Sequence, residues 1–456
     1  MTSPHWTKTI ISIGAGYVGT PTMAVCAEHC PEYRFICVDQ NPQLIQQWMS
    51  EHLPIYEPGL DEVIHQVRDR NLFFTTDAET AIQQADVIFI SVCTPTKTCG
   101  LGANRACDLS YFEKAAEQIR DISHKSVIVV EKSTVPIGTG SHLLSILNHN
   151  RNGIIYDVVS NPEFLAEGTA INDLEHPHRV LIGCNPSSRQ QFAIETVKEI
   201  YQHWVPLEKI VTTDRWSSEL SKLVANAFLA QRVSSINSIS LLCEKAGGNI
   251  VDISKILGMD DRIGSRFLNS SVGFGGSCFQ KDVLDLIYLC GYYHLRDVAH
   301  YWEGVLTINE AQKKHFAHKV IHTLYDSVKG RHLTIFGYSF KKDTGDTRET
   351  PARTVCQLLL EEGAILHIYD PRVPVAVIER ELGHVQITDD PYSACQGTEA
   401  ILIVTAWDEF RTLDYQKIYR AMGQLVPVIF DGCHLIDPSL LEPMGFRVWI
   451  LGQHLK

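Results

Sequence analysis

The sequence predicts an α/β protein in which two doubly wound parallel sheets are joined by a long central helix and a helical block. Three observations carry this. Short β-branched runs alternate with helix-length segments over about the first 200 residues, strand signals fade between about Arg215 and Lys329, and the first pattern returns after Gly330. A chain of 456 residues also exceeds one ordinary core. The expected domains are 1–213, 214–329 and 330–456.

The first run, Lys8 to Ile13, ends in Gly14 and is followed by a helix-like stretch to about His29. A second run, Tyr33 to Val38, ends on Asp39. Strand, glycine turn, helix and strand make a βαβ unit, whose crossover implies parallel strands. Further buried-strand runs stand at Val87–Val92, Val127–Val130 and Tyr156–Ser160. From Arg215 to Ala246 there is no proline, and Leu220, Leu223, Val224, Ala227 and Phe228 recur at helical spacing, so one long helix is expected there as a connector or oligomerisation spine. After Gly330, Leu333–Phe336 reads as a strand, Gly337 as a turn, Pro351–Glu362 as a helix, and Ala364–Tyr369 as a strand ending on Asp370. That is an echo of the first βα unit. Ala400–Val404 and Val426–Phe430 supply later strands.

A formal net charge of −13 argues against a nucleic-acid surface, though a small anion needs only a locally positive pocket. The opening MTSPHWTKTIISIG has neither a long apolar core nor a small-residue cleavage site, so no leader is expected. No stretch approaches the roughly 20 apolar residues of a membrane helix. Thirteen cysteines without CxxC pairs read as reduced thiols, and a cytoplasmic protein is expected.

Gly14-Ala15-Gly16-Tyr17-Val18-Gly19 matches GxGxxG between a strand and a helix. Gly14 allows the tight turn, Gly16 lets backbone approach a pyrophosphate, and Gly19 permits close helix–strand packing. Asp39, at the next strand end, suits a ribose 2′-OH and repels a 2′-phosphate, which favours NAD over NADP. Ser133-Thr134-Val135-Pro136 follows another strand at its carboxyl end, where ligands sit in such Rossmann-like sheets; taken by itself, an ordinary polar turn is the better reading.

Ser271–Asp282 reads SVGFGGSCFQKD, with three glycines in four positions and Cys278 just before a helical stretch. A helix N-terminus stabilises a thiolate and so activates a cysteine as nucleophile. Asp282, four residues on, shares that face and opposes ionisation, so a nearby cation is needed; Lys222, four residues before Asn226 on the long helix, is the candidate. Spacing alone also fits a buried apolar cysteine and solvated Lys222 and Asp282. Glu163 and Glu167 in NPEFLAEGTAI are expected on one helical face. His315, His318 and His322 share a helix face that imitates a metal cluster, with a solvated face the stronger reading and no metal expected.

These segments resemble the UDP-glucose 6-dehydrogenase family over essentially the whole chain. The matching stretches are GAGYVG, LPIYEPGL (53–60), EKSTVP (131–136), NPEFLAEGTAI (161–171), SKLVANAFLAQRVSSINS (221–238), DRIGSRFL (261–268), VGFGGSCFQKD (272–282) and FGYSFKKDTGDTRETPA (336–352). The resemblance implies two Rossmann-like domains and an NAD-dependent, two-step oxidation of UDP-glucose to UDP-glucuronate. Cys278 would be the nucleophile, with Lys222, Asn226 and Asp282 as catalytic neighbours, while Thr134 and Glu163 would position the hydrolytic water. Gly14, Gly16, Tyr17, Val18, Gly19, Asp39, Thr94, Thr134 and Glu167 would face the cofactor. Glu163, Glu167, Lys222, Asn226, Phe267, Phe274, Gly275 and Lys341 would face the nucleotide sugar, and Arg262 would reach the substrate of a neighbouring subunit. A homo-oligomer, dimer or hexamer, is the family's form.

The chain departs from that pattern twice. Asp39-Gln40-Asn41-Pro42-Gln43-Leu44 lacks the arginine the family usually places after the acidic strand end. Asp431-Gly432-Cys433-His434 stands where DGRR is usual, which puts an arginine contact to the nucleotide sugar in question. Rival readings are the same chemistry on UDP-N-acetylmannosamine or GDP-mannose, a non-catalytic binding homologue, and a single-step alcohol dehydrogenase; the last would not need the cysteine.

Overall fold

The computed structural model describes residues 6–149, 153–185 and 188–454. The chain forms two compact units, 1–225 and 226–456, and their boundary falls inside one continuous helix, Arg215–Ala246. The first five residues of the opening stretch lie outside the described part. Among the described residues no helix is long and apolar enough to cross a membrane.

The first unit is built on eight strands: β1 (Lys8–Ile13), β2 (Tyr33–Val38), β3 (Leu72–Thr75), β4 (Val87–Ile90), β5 (Val127–Glu131), β6 (Tyr156–Ser160), β7 (Val180–Gly183) and β8 (Ile210–Thr213). Their order is β3-β2-β1-β4-β5-β6-β7-β8. All pairs are parallel except β6 with β7, which meet through Ser160 and Gly183. β4 and β5 are buried along their whole length, which explains their unbroken apolar runs: helices cover both faces, so neither face selects polar residues. Strand order reverses between β1 and β4, and the crevice beyond their carboxyl ends is where ligands bind in such sheets.

The second unit carries a six-stranded, all-parallel sheet: β9 (His332–Phe336), β10 (Ile365–Tyr369), β11 (Gln386–Ile387), β12 (Ala400–Ile403), β13 (Val428–Asp431) and β14 (Arg447–Ile450), in the order β11-β10-β9-β12-β13-β14. Here the reversal lies between β9 and β12. Helices Ile250–Gly258, Phe279–Tyr292 and Arg296–Thr323 precede the sheet. The last lays Phe316, Ala317 and Val320 into the sheet's core beside Leu333, Ile335 and Trp449.

Both sheets close their reversal point the same way. Gly14 and Gly337 take left-handed φ values of 105° and 91°. A Cβ on either would overlap the strand across the crevice, at Ser91 or at Thr405, so only glycine fits. Each glycine donates its N–H to the end of the neighbouring strand, to Val38 O and Tyr369 O, at 2.8 Å in both cases. Each turn is then tied to the following aspartate. Asp39 Oδ2 accepts from Ala15 N at 3.1 Å, and Asp370 Oδ2 accepts from Tyr338 N at 2.7 Å and Ser339 N at 2.9 Å. The echo expected from Asp39 and Asp370 is a repeated structural device.

Two features differ from expectation. β3, β7, β8, β11 and β14 were not anticipated; they span two to four residues, too few to register a period, and the equally short β4, β12 and β13 stood out only as part of longer apolar runs. Residues 161–166 are not helical, so Glu163 and Glu167 do not share a helical face. Pro162 has no N–H to give, Glu163 Oε2 accepts instead from Leu165 N at 2.6 Å, and Gly168 turns left-handed at φ 82° before helix Ala170–Glu175 begins.

Asp370 is buried and also accepts from Ser339 Oγ, Trp407 Nε1, Arg372 N and Val373 N. Asp370→Ala strands these buried donors, and should destabilise the second unit by about 3 kcal/mol or more. Denaturant unfolding followed by tryptophan fluorescence measures the loss; a change below about 1 kcal/mol contradicts the role given to this carboxylate.

Candidate active site

In the first unit the glycine turn opens on helix Gly19–His29, which has no side-chain cap and no acid in its first turn. Its N-terminal N–H groups and positive dipole end are therefore disposed toward an anion. Gly19 is closed in by Gly14 O and Ser12 Oγ, whereas a Cβ on Gly16 would meet nothing within 4 Å. The turn is thus tight behind and open in front, the shape a pyrophosphate needs. Tyr17 and Val18 complete it, and Trp48 Nε1 steadies it by donating to Ala15 O at 2.9 Å. Asp39 is half-buried; its second oxygen accepts Asn41 N at 2.9 Å, and a carboxylate keeps lone pairs for a further donor. The Asn41 that stands in the stretch lacking an arginine caps helix Pro42–Trp48 by accepting from Gln43 N and Leu44 N.

The turns after β4 and β5 are stitched together beside this opening. Thr94 Oγ1 donates to Thr134 O at 2.8 Å, and Ser133 Oγ donates to Val92 O at 2.7 Å. The polar STVP turn is therefore fixed in place. Next to it, Lys222 Nζ lies 2.9 Å from Glu163 Oε1, with both side chains almost fully buried. Such a pair is favourable only as a pair, because removing either charge strands the other. The Phe164 ring lies against two cations, with Arg179 3.7 Å from its centre and Lys222 at 5.5 Å. Glu57, from LPIYEPGL, is also buried and accepts Gly168 N and Ala170 N, which pins the segment bearing Glu163 and the half-buried Glu167.

A further buried cation beside Lys222 went unremarked in the sequence. Lys132 lines a cavity with Asn161, Glu163, Phe164, Arg179 and Tyr201. It donates only to neutral oxygens, Asn161 Oδ1 and Tyr201 OH, each at 3.1 Å. Burial pulls its ammonium down to about 8. Its place inside EKSTVP was the available signal.

In the second unit Cys278 caps helix Phe279–Tyr292, and its carbonyl accepts Asp282 N at 2.9 Å in the first turn. The thiol is partly exposed, 3.5 Å from Ser277 Oγ. Asp282 is fully buried; Asn226 Nδ2 donates to its Oδ2 at 2.6 Å and Lys281 Nζ stands 2.9 Å from its Oδ1. The cation that offsets Asp282 within this unit is therefore Lys281, whereas Lys222 is engaged by Glu163 in the first.

Among the residues expected on the nucleotide side, Phe267 and Phe274 both pack on Phe279, at 6.3 and 5.7 Å between ring centres. Gly275 lies against Glu349 O, and Lys341 Nζ sits 5.7 Å from the Phe340 ring. Arg262 extends into solvent, paired with Asp260 at 2.7 Å. His434, at φ 56°, meets Ser270 Oγ through Nε2 at 2.7 Å, and the buried Asp431 accepts Cys433 N, Leu435 N and Ile436 N. The histidines of the long C-terminal helix go separate ways: His315 pairs with Glu244, His322 with Asp326, and His318 is exposed.

Three domains of one family match the chain in order. The NAD binding domain of the UDP-glucose/GDP-mannose dehydrogenase family matches residues 8–205, its central domain 216–311, and its UDP binding domain 334–438. The chain is 53% identical to UDP-glucose 6-dehydrogenase of Drosophila melanogaster, covering 97% of this chain and 96% of that protein. It is 51% identical to UDP-glucose 6-dehydrogenase 3 of Oryza sativa subsp. japonica, covering 98% and 97%. Among solved structures, a UDP-glucose dehydrogenase from Pyrobaculum islandicum superposes with a TM-score of 0.86 at 29% identity, covering 100% of this chain and 99% of that one.

Lys132 generates a pH prediction. With its folded value near 8 and an unfolded value of 10.5, the unfolded chain holds the extra proton between those limits, so stability rises with pH across that window. Below it the buried charge costs up to about 3 kcal/mol. Lys132→Met should therefore be more stable than the parent at pH 7, with the gain shrinking as pH climbs from about 8 to 10. Denaturant midpoints at several pH values measure this, and a destabilised variant at pH 7 refutes it.

Proposed function

Because the chain belongs to the UDP-glucose/GDP-mannose dehydrogenase family, we propose that it oxidises the C6 primary alcohol of UDP-glucose to the carboxylate of UDP-glucuronate, with Cys278 as covalent nucleophile. The observation that carries the reading is Cys278 at a helix N-terminus on a glycine-rich loop, one turn from a buried carboxylate whose charge is offset locally. The fly and rice relatives, similar over nearly their whole length, bear the name of that activity.

NAD is the cofactor, and when bound it accepts the hydride that leaves C6 in each oxidation. The chain's residues supply the rest. Gly14, Gly16 and Gly19 seat the pyrophosphate at an uncapped helix end, and Asp39 takes the ribose hydroxyl. Glu163 holds Lys222 as an ammonium ion, suited to stabilise an alkoxide developing on the C6 oxygen. The aldehyde left by the first oxidation is attacked by the Cys278 thiolate; a C–S bond forms, the carbonyl oxygen becomes the hydroxyl of a thiohemiacetal, and a reactive intermediate is kept from escape. Loss of the second hydride and of the hydroxyl proton leaves a thioester. Water, positioned by Thr134 and Glu163 with Asp282 as proton acceptor, cleaves its C–S bond and returns the thiol. The balance is one alcohol, one water and two NAD⁺ in, one carboxylate, two NADH and three protons out.

The division 1–213, 214–329 and 330–456 assigns the sugar nucleotide to the last segment through Lys341, with residues 267–275 of the middle segment carrying it there. We read the protein as a cytoplasmic homo-oligomer; thirteen free thiols support a reducing compartment, and the exposed Arg262 is suited to a neighbouring subunit's substrate.

With UDP-glucose and NAD⁺, two NADH should form per sugar consumed, and Cys278→Ser should lose turnover by about 10³-fold or more while binding NAD⁺ as the parent does. NADH absorbance and product mass decide it. A ratio of one NADH, or full turnover in Cys278→Ser, refutes the covalent route.

A further inference from the structure

The loop that leads into Cys278 is short of means to hold itself. Between Ser271 and Ser277 it has no regular secondary structure and three glycines, each with more backbone freedom to lose than any other residue. A nucleophile placed by such a loop needs support from outside it. We propose that Asn309 is the positioning residue for Cys278, acting through Phe274; the proposal rests on Cys278 being the nucleophile.

Asn309 lies on helix Arg296–Thr323 with 1% of its surface exposed. Its Oδ1 accepts Phe274 N at 2.8 Å and its Nδ2 donates to Phe274 O at 3.1 Å. One side-chain amide thus satisfies both backbone groups of Phe274, as a neighbouring strand would. Gln312, on the same helix, donates to Ser271 O at 3.0 Å, and Asn237 Oδ1 accepts Ser271 N at 2.9 Å. Gly273 is what lets this clamp close: its φ is 142°, and a Cβ there would lie 2.9 Å from Asn309 Oδ1 and 3.2 Å from Lys313 Cγ.

The clamp reaches the nucleophile in two steps. The Phe274 ring stands edge-on to Phe279 at 5.7 Å, and Phe279 is the first residue of the helix that Cys278 caps. From the other side, Gly276 N donates to Arg348 O at 2.8 Å, and a Cβ on Gly276 would come within 2.8 Å of the Phe340 ring. The loop is held between helix and ring, and Asn309 sets the depth of Phe274 and hence the register of the helix start. The thiolate gains from the helix only while that N-terminus points at it.

Asn309→Asp tests this in the full chain. It keeps the size of the side chain and the acceptor for Phe274 N, and it turns a carboxylate oxygen toward Phe274 O in place of the donor. The expected result is a fall in kcat of about tenfold or more with NAD⁺ affinity within about twofold of the parent. Alkylation of Cys278 by iodoacetamide, followed by peptide mass against pH, should need a higher pH. Asn309→Ala, which removes both the acceptor for Phe274 N and the donor to Phe274 O without adding charge, carries the same expectation should the aspartate variant not fold. An unchanged alkylation profile in a folded variant overturns the proposal, whether or not kcat falls, because support of the loop alone does not move the thiol's ionisation. Full turnover in Cys278→Ser would instead remove the nucleophile on which the proposal rests, so the two failures are separate.

Discussion

A carboxylate at the end of the second strand of each sheet holds the glycine turn that ends the first, and both sites depend on how that carboxylate is used. In the first unit Asp39 is half-buried and takes two backbone N–H groups, Ala15 and Asn41, leaving acceptor capacity at the mouth of the turn. In the second unit Asp370 is buried and its oxygens are spent on the backbone of Tyr338, Ser339, Arg372 and Val373 and on Ser339 Oγ and Trp407 Nε1. One device therefore keeps acceptor capacity in the first sheet and is fully used bracing a turn in the second, although both glycines sit alike. That difference fits the role proposed for Asp39 in the part of the chain that matches an NAD binding domain.

Charge burial is arranged by the same economy. Lys222 and Glu163 are desolvated together at 2.9 Å, and Asp282 is buried against Lys281 with Asn226 as a neutral donor. Each carboxylate thus has a cation within its own unit, so its burial is offset by a partner charge. Lys132 is held differently, by Asn161 and Tyr201 with no carboxylate in hydrogen-bond reach among the described residues, and burial pulls its ammonium down.

The legible parts of this molecule are those with a period or a steric requirement. Lys8–Ile13, Tyr33–Val38 and the helix Arg215–Ala246 follow from apolar spacing, and Gly14 and Gly337 from turns that admit no side chain. Strands of four residues or fewer carry no period: β4, β12 and β13 showed only through the longer apolar runs that contain them, and β3, β7, β8, β11 and β14 were silent. The Glu163–Glu167 spacing suggested a helix because it ignored Pro162 and the side chain of Glu163, which bonds Leu165 N in place of a helical carbonyl. Lys281 was passed over as partner of Asp282 because adjacent helical residues do not normally face each other; at the first turn, beside a loop, the long lysine stem folds back. For Asn309 a signal did exist. Val305, Asn309, Gln312 and Phe316 form one buried stripe, and an asparagine inside a 28-residue helix, on its apolar face, is a poor helix former needing a buried partner.

The glycine-rich loop shows why such partners must be remote in sequence. Flexibility at Gly273, Gly275 and Gly276 is what allows backbone to pass within contact of Asn309, Glu349 and Phe340, since any side chain there would collide. The same flexibility would leave Cys278 unplaced in isolation, and no residue inside the loop can correct that without refilling the space. The restraint must come from groups whose own positions are fixed elsewhere: an amide on a long packed helix, an aromatic ring on the segment after β9, and the carbonyl of Arg348, which accepts Gly276 N. The reactive thiol proposed at this helix start would thus be a property of the folded second unit, and the SVGFGGSC stretch by itself encodes only the room for it.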